Sequence, residues 1–216
     1  MNILTGILSL FVVLFAITIH EASHGWAALK MGDPTAYHLG RVTLNPLRHI
    51  DLFGTILLPL LLIVMGAPPF GWAKPVPVNP LNLRNPRRDN LIISAAGPLS
   101  NLSVAFIAFI GIQGIKLLSP ELFTLREGGM FNLLSGLFLV LYYTVLINVI
   151  LAIFNLIPIP PLDGSGVLGG LLSDEAAQKY DQIRPYGFLI LVILIMTGFI
   201  SRILGVILRI VNLFIF

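Results

Sequence analysis

Between Ile17 and Gly25 the chain reads I-T-I-H-E-A-S-H-G, and three ionisable side chains, His20, Glu21 and His24, stand there in an otherwise apolar run. On a helix of about 3.6 residues per turn, histidines four apart share one face, so two imidazoles can bind one metal ion. Glu21 is rotated from that face by about 100°. It is placed to take a proton from a water that the metal activates, not to bind the metal itself. Residues 3 to 19 are almost wholly apolar, a setting in which a charge or an unsatisfied imidazole is costly. Some partner must offset that cost.

A catalytic zinc site has three protein ligands and an open position for water. The chain has no cysteine, so any metal must be held by His, Asp, Glu or Asn. Beyond Glu21 the candidates for a third ligand are Asp33, His38, His49, Asp51, Asp89 and Asp163. Asp163 alone sits in a Pro-punctuated apolar stretch, N-L-I-P-I-P-P-L-D-G, where prolines fix the backbone and Gly164 permits a sharp turn toward a helix. Two readings compete there: a metal ligand, and a cap on a helix beginning near Ser165. The intramembrane H-E-x-x-H favours the ligand. His38 and His49 read as ordinary surface or hydrogen-bonded histidines, with His49 beside Asp51 able to support the segment near it. Ser94, Gly97 and Ser100 read as positions of close helix packing. Arg202 and Arg209, seven apart on one helix face, read as snorkelling or paired near the membrane edge.

The elements that must position these groups are membrane helices. Of 216 residues 56% are hydrophobic and 11% charged, and the mean hydropathy is +0.94; soluble domains carry about 25% charged residues. The fold class expected is an all-α polytopic membrane protein, a core of three transmembrane helices plus a C-terminal helix. A single membrane-embedded domain over 1–216 is expected, its catalytic core over about 2–172, with no appended sensor or peptide-binding module. The net charge of +3 comes from basic residues in connecting segments, as orientation in a bilayer demands, and argues against a nucleic-acid surface. The first apolar run is too long, and too directly continued by H-E-A-S-H, for a cleaved signal peptide, and is expected to stay in the mature protein.

Residues 2 to about 29 make the first transmembrane helix, and its basic end at Lys30 marks a cytoplasmic exit. Gly32-Asp33-Pro34 closes it, and Tyr37 to Asn45 alternates like a short strand. Leu52 to Gly66 is an apolar run containing Pro59, shorter than the roughly 20 residues a straight span needs. Phe70 to Asn85 carries spaced prolines that forbid a helix, so a short β-ribbon is expected. Arg84, Arg87 and Arg88 should stay cytoplasmic. Residues 52–78 therefore read as a re-entrant hairpin lying against the active-site helix, in preference to a full crossing. Residues 90–118 and 130–157 make the second and third helices around an outer loop from Pro120 to Gly129. A short helix over Val167–Leu172, a polar stretch over Ser173–Arg184 and a last apolar helix over about 186–214 complete the chain. His20 and Asp163 then arrive at the same depth. No internal repeat is visible.

H-E-A-S-H in the first helix, A-G-P-L-S-N in the second and N-L-I-P-I-P-P-L-D-G after the third closely resemble the site-2 protease family of intramembrane zinc metalloproteases. The resemblance spans roughly residues 15 to 170 and includes the linking F-G-W-A-K-P-V-P-V-N-P, typical of compact prokaryotic members. It implies that His20, His24 and Asp163 hold one Zn2+ per chain, that Glu21 is the general base, and that Asn155 and Asn101 hydrogen-bond substrate backbone or steady the site. From the residues alone, Asn101 and Asn155 read equally well as interhelical hydrogen bonds, worth about 1 kcal/mol. The chain departs from larger relatives in lacking a PDZ or CBS domain.

The function expected on this reading is hydrolysis of peptide bonds within or near transmembrane segments of substrate proteins in the lipid bilayer. The active site would face the cytoplasmic side of a prokaryotic cell membrane. A transmembrane helix pairs its backbone groups internally, so it must unwind before water can attack, and the Trp72 to Val78 ribbon is expected to offer the unwound segment strand pairing. Two rivals use the same residues. One is a proton- or metal-coupled transporter with His20, Glu21, His24 and Asp163 as relay, although the inverted repeats of such proteins are not visible. The other is a non-catalytic binder of membrane helices, against which the intact Glu21 speaks. A homo-oligomer is left open.

Overall fold

The structure, a computed structural model, describes residues 3–65, 71–118 and 133–216. Helix α1, Ile3–Met31, follows from a long apolar run without proline. It ends on a Schellman turn. Gly32 has φ 111°, its N–H bonds Leu29 O at 3.2 Å, and the Asp33 N–H bonds Ala28 O at 2.9 Å. Glycine at this position satisfies the last carbonyls without a Cβ penalty. A four-residue helix α2, Thr35–His38, comes next, and a π-helical turn, Leu52–Leu57, runs into α3, Leu58–Val64. Helix α4, Pro86–Leu118, opens with proline where the missing N–H costs nothing. There the buried Asp89 accepts the Asn85 N–H at 2.7 Å. Helix α5 is Leu133–Asn155 and α6 is Asp163–Leu171. Helix α7, Asp174–Asp181, is capped by Ser173, whose side chain accepts the Ala176 N–H. Helices α8, Gly187–Met196, and α9, Phe199–Ile215, finish the chain.

Three helices, Thr5–Met31, Pro86–Leu118 and Leu134–Asn155, are long and apolar enough to cross a membrane. Phe11 and Phe15 on α1, and Phe106, Ile107 and Ile110 on α4, are exposed on the outside of the bundle. Bands of this kind have a stable environment in lipid, where helices satisfy their own backbone. The protein is an integral membrane protein. Helix α4 is its hub and packs against α5, α1 and α6. Ala27, Ala28, Leu83 and Ile93 form one buried cluster between α1 and α4. Ala108, Ile112, Val145 and Ile215 form a second that ties α9 to α4 and α5. Leu162, Leu191 and Ile200 form a third beside the start of α6.

Several expectations are corrected. No strand occurs among the described residues. The alternating stretch from Tyr37 begins inside α2, and Arg41 N–H bonds Ala36 O at 2.9 Å, so local turns take up the backbone that a strand would have used. Residues 52–64 are helical, and the six- and seven-residue pieces are too short to cross roughly 30 Å of hydrocarbon. The re-entrant hairpin expected over 52–78 is not supported; residues 66–70 of that stretch lie outside the described residues, as do the outer loop and the expected start of the third helix. The β-ribbon is absent too. Residues 71–79 are irregular and spend their amides on unlike partners: Trp72 N–H on Gly54 O, Lys74 N–H on His49 O and Val76 N–H on Glu21. The helix expected near Ser165 begins at Asp163, which makes no capping bond. The last helix is broken at Thr197–Gly198, where Gly198 has φ 71° and the axis bends by 65°.

Candidate metal centre

His20 lies on α1 about 16 Å, at 1.5 Å per residue, from the end of that helix at Met31. The Nε2 atoms of His20 and His24 are 3.0 Å apart. Asp163 Oδ2 comes within 3.0 Å of the first and 3.3 Å of the second. One ligand atom from each of the three residues lies within 4.8 Å of the others. Four-residue spacing on α1 supplies the two imidazoles, and the first residue of α6 supplies the carboxylate.

Hydrogen bonds behind the rings fix their tautomers. Asn101 donates its amide hydrogens to Ala16 O at 3.1 Å and Asn148 Oδ1 at 2.8 Å. Its Oδ1 is therefore the acceptor that meets His20 Nδ1 at 2.6 Å, and that nitrogen must carry a hydrogen. His24 Nδ1 meets the Ile93 carbonyl at 2.7 Å and must donate as well. In their neutral forms both rings turn Nε2 lone pairs toward each other and toward Asp163 Oδ2, a buried oxygen with no hydrogen-bond partner. Three converging acceptors repel one another, and a cation removes the conflict. Two imidazole nitrogens and a carboxylate oxygen, each ring held by an outer acceptor, form a donor set that suits a catalytic zinc ion.

Two glycines make the room. A Cβ at residue 97 would collide with His24 Nε2 and come within 2.7 Å of His20 Cε1, so A-G-P-L-S-N leaves α4 bare where the imidazoles lie. A Cβ at residue 164 would run into the Leu156 and Ile157 carbonyls. Gly164 thus serves close backbone approach, whereas the sequence suggested a turn. Ser94 packs where α6 carries Gly166, in keeping with the packing role expected of it.

Glu21 stands outside the three-residue set and accepts the Val76 N–H on Oε2 at 3.0 Å. Arg41, 6% exposed, holds the same segment through Lys74 O at 2.5 Å and Pro75 O at 3.4 Å. Burial, and the neighbouring Arg48, pull the Arg41 guanidinium below its usual pKa, against the opposing pull of Glu21. The other third-ligand candidates are engaged elsewhere. Asp33, fully buried, accepts from Thr35, Asn79 and Asn82, Asp51 accepts the Gly54 N–H at 2.6 Å, and Asp89 caps α4. His49 is buried and its Nε2 meets Thr43 O at 2.9 Å, while His38 is exposed. Asn155 ends α5 and donates to Leu151 O at 2.9 Å, one turn back on its own helix. Sequence reasoning missed Asn148, Arg41 and the Val76 amide. Asn148 had a signal, a lone amide in an apolar helix seven residues before Asn155, whereas a backbone N–H has none.

Membrane helices around such a donor set define a membrane protein with a candidate metal centre at its core. The chain belongs to peptidase family M50, the site-2 proteases, whose family profile matches residues 8–198. It is 36% identical over 192 residues to "Putative zinc metalloprotease YwhC" of Bacillus subtilis, covering 89% of this chain and 81% of that protein. It is 30% identical over 190 residues to a Mycolicibacterium smegmatis protein of the same descriptive name, Rip2, covering 88% of this chain and 66% of the relative. With "Zinc metalloprotease MJ0392" of Methanocaldococcus jannaschii it shares 26% identity over 214 residues, 96% of this chain and 47% of the relative. No solved structure matches the chain. The protein is a zinc metalloprotease.

Proposed function

We propose that the protein is an intramembrane endopeptidase that cuts transmembrane segments of other proteins, with His20, His24 and Asp163 holding one zinc ion and Glu21 acting as general base. The observation that carries this reading is the convergence of two Nε2 lone pairs and an unpartnered carboxylate oxygen among apolar helices. Bound there, zinc supplies Lewis acidity, which activates water and polarises a peptide carbonyl. Glu21 takes the proton and returns it to the leaving amine. The Val76 N–H stabilises the charged carboxylate through Oε2. Asn101 keeps the His20 ring in its donor tautomer. In this reading Asn155, at the end of α5, contacts the substrate or steadies the site edge. A substrate helix must unwind locally to expose a peptide bond. The basic residues after α1 and before α4 support a site toward the cytoplasmic side, and the Bacillus and Methanocaldococcus relatives support a prokaryotic cell membrane.

Glu21→Gln tests the reading in protein reconstituted with a transmembrane substrate. Cleavage is expected to fall by about 10²–10⁴-fold, with zinc content unchanged. Cleavage at the wild-type rate would remove Glu21 from the mechanism. Loss of proton or metal flux in liposomes, with no cleavage by the wild type, would favour a transporter.

A further inference from the structure

A cavity lies against the segment whose Val76 N–H bonds Glu21. It has a volume of about 410 Å³, within the range of small-ligand sites, and Arg41, Arg48 and Lys74 all line it. None of its lining residues is acidic. Arg48 and Lys74 are exposed and form no ion pair among the described residues. Arg41 is 6% exposed, and its Nε–H is buried without a hydrogen-bond partner. Three cations thus share a wall that carries no carboxylate; Glu21 acts on Arg41 from outside that wall, and Arg48 and Lys74 have no ion-pair partner among the described residues.

The rest of the wall is apolar. Leu39 and Leu47 line the cavity and are 58% and 73% exposed, and Ile50 lines it as well. Leu44 and Leu52, near these residues in the chain, are exposed as well. Apolar side chains beside unpaired cations suit the headgroup layer of a bilayer, where acyl carbons and phosphates meet. We propose that Arg41, Arg48 and Lys74 form a binding site for a phosphate group, that of an anionic phospholipid headgroup or of free phosphate. The Arg41 guanidinium forms the buried wall of the site, and Arg48 and Lys74 stand at its exposed side. Arg41 also holds Lys74 O, two residues from the amide on Glu21, so an anion here bears on the segment beside the carboxylate. The proposal does not depend on the peptidase reading.

The test uses the full chain in neutral detergent. Native mass spectrometry reads binding of dioleoyl phosphatidylglycerol and dioleoyl phosphatidylcholine, and calorimetry reads inorganic phosphate. Arg48→Ala/Lys74→Ala is the test variant, because both side chains are exposed and Arg41 is left to hold its carbonyls. Arg88→Ala/Lys179→Ala removes the same charge elsewhere. The wild type is expected to prefer phosphatidylglycerol. The test variant should lose roughly thirtyfold of that affinity, the effect of two cations at an anionic surface, and the control should keep it. Phosphate binding as tight as lipid binding, and lost in the test variant, upholds the site with free phosphate as its ligand. Equal phosphatidylglycerol affinity in both double variants overturns the proposal. So does a wild type that binds neither anion, or one that takes only a glutamate-rich peptide.

Discussion

The tautomer of each histidine is set by an oxygen on α4, and this is where single substitutions should register most sharply. Asn101→Leu removes the acceptor for His20 Nδ1 while keeping volume, and zinc affinity is expected to fall about 10–100-fold in a chelator competition. Asn148→Ala should cost less, since Asn101 keeps its bond to Ala16 O. Gly97→Ala drives a methyl into both imidazoles, so zinc retention should be lost although none of the proposed ligands has changed. At this scale much was legible in the chain. H-E-x-x-H states its own geometry, and Asp163 stood out because a carboxylate among prolines and apolar residues needs a reason. The hydrogen bonds of Ile93 O and Val76 N–H were not legible, because main-chain groups occur at every position and leave no mark on the sequence.

At the scale of the elements, one carboxylate fastens the end of α1 to the segment before α4. Burial raises the Asp33 pKa, but bonds from Thr35, Asn82 and Asn79 outweigh it and hold the carboxyl below its ordinary value. A depressed carboxylate stabilises the fold fully above its unfolded pKa near 3.8, and that contribution is lost as pH falls through the lower folded value. Acidification below about pH 4 should therefore loosen residues 71–85, read by proteolysis in detergent, and Asp33→Asn should make the same region labile at pH 7. Gly164→Ala forces a Cβ against two carbonyls, with an expected loss of about 1–3 kcal/mol and weaker zinc binding through displaced Asp163. The long helices were readable from apolar length. The ribbon was misread because spaced prolines exclude a helix without specifying a strand, and here the amides of Trp72, Lys74 and Val76 each found a different partner. The break at Thr197–Gly198 was missed because a lone glycine in an apolar run is tolerated in a helix.

For the whole molecule, the proposed centre predicts that metal and fold are linked, since three acceptors that repel when bare are joined when a cation sits among them. Chelation should lower the melting temperature in detergent and added zinc should restore it, with both responses muted in Asp163→Asn. The fit of Gly97 against His20 and His24 has a mechanical consequence. Helices α1 and α4 are keyed together like a tooth in a notch, because sliding α4 by one residue would swing a side chain into the imidazoles. A hinge at this joint would dismantle the centre on every stroke. On the peptidase reading, admission of a bulky substrate therefore falls to parts outside this joint, the irregular 71–79 segment and the bent α8–α9 pair. A covalent staple between α1 and α4 should leave turnover intact, whereas one pinning residue 73 to α1 should stop the enzyme with its zinc still in place.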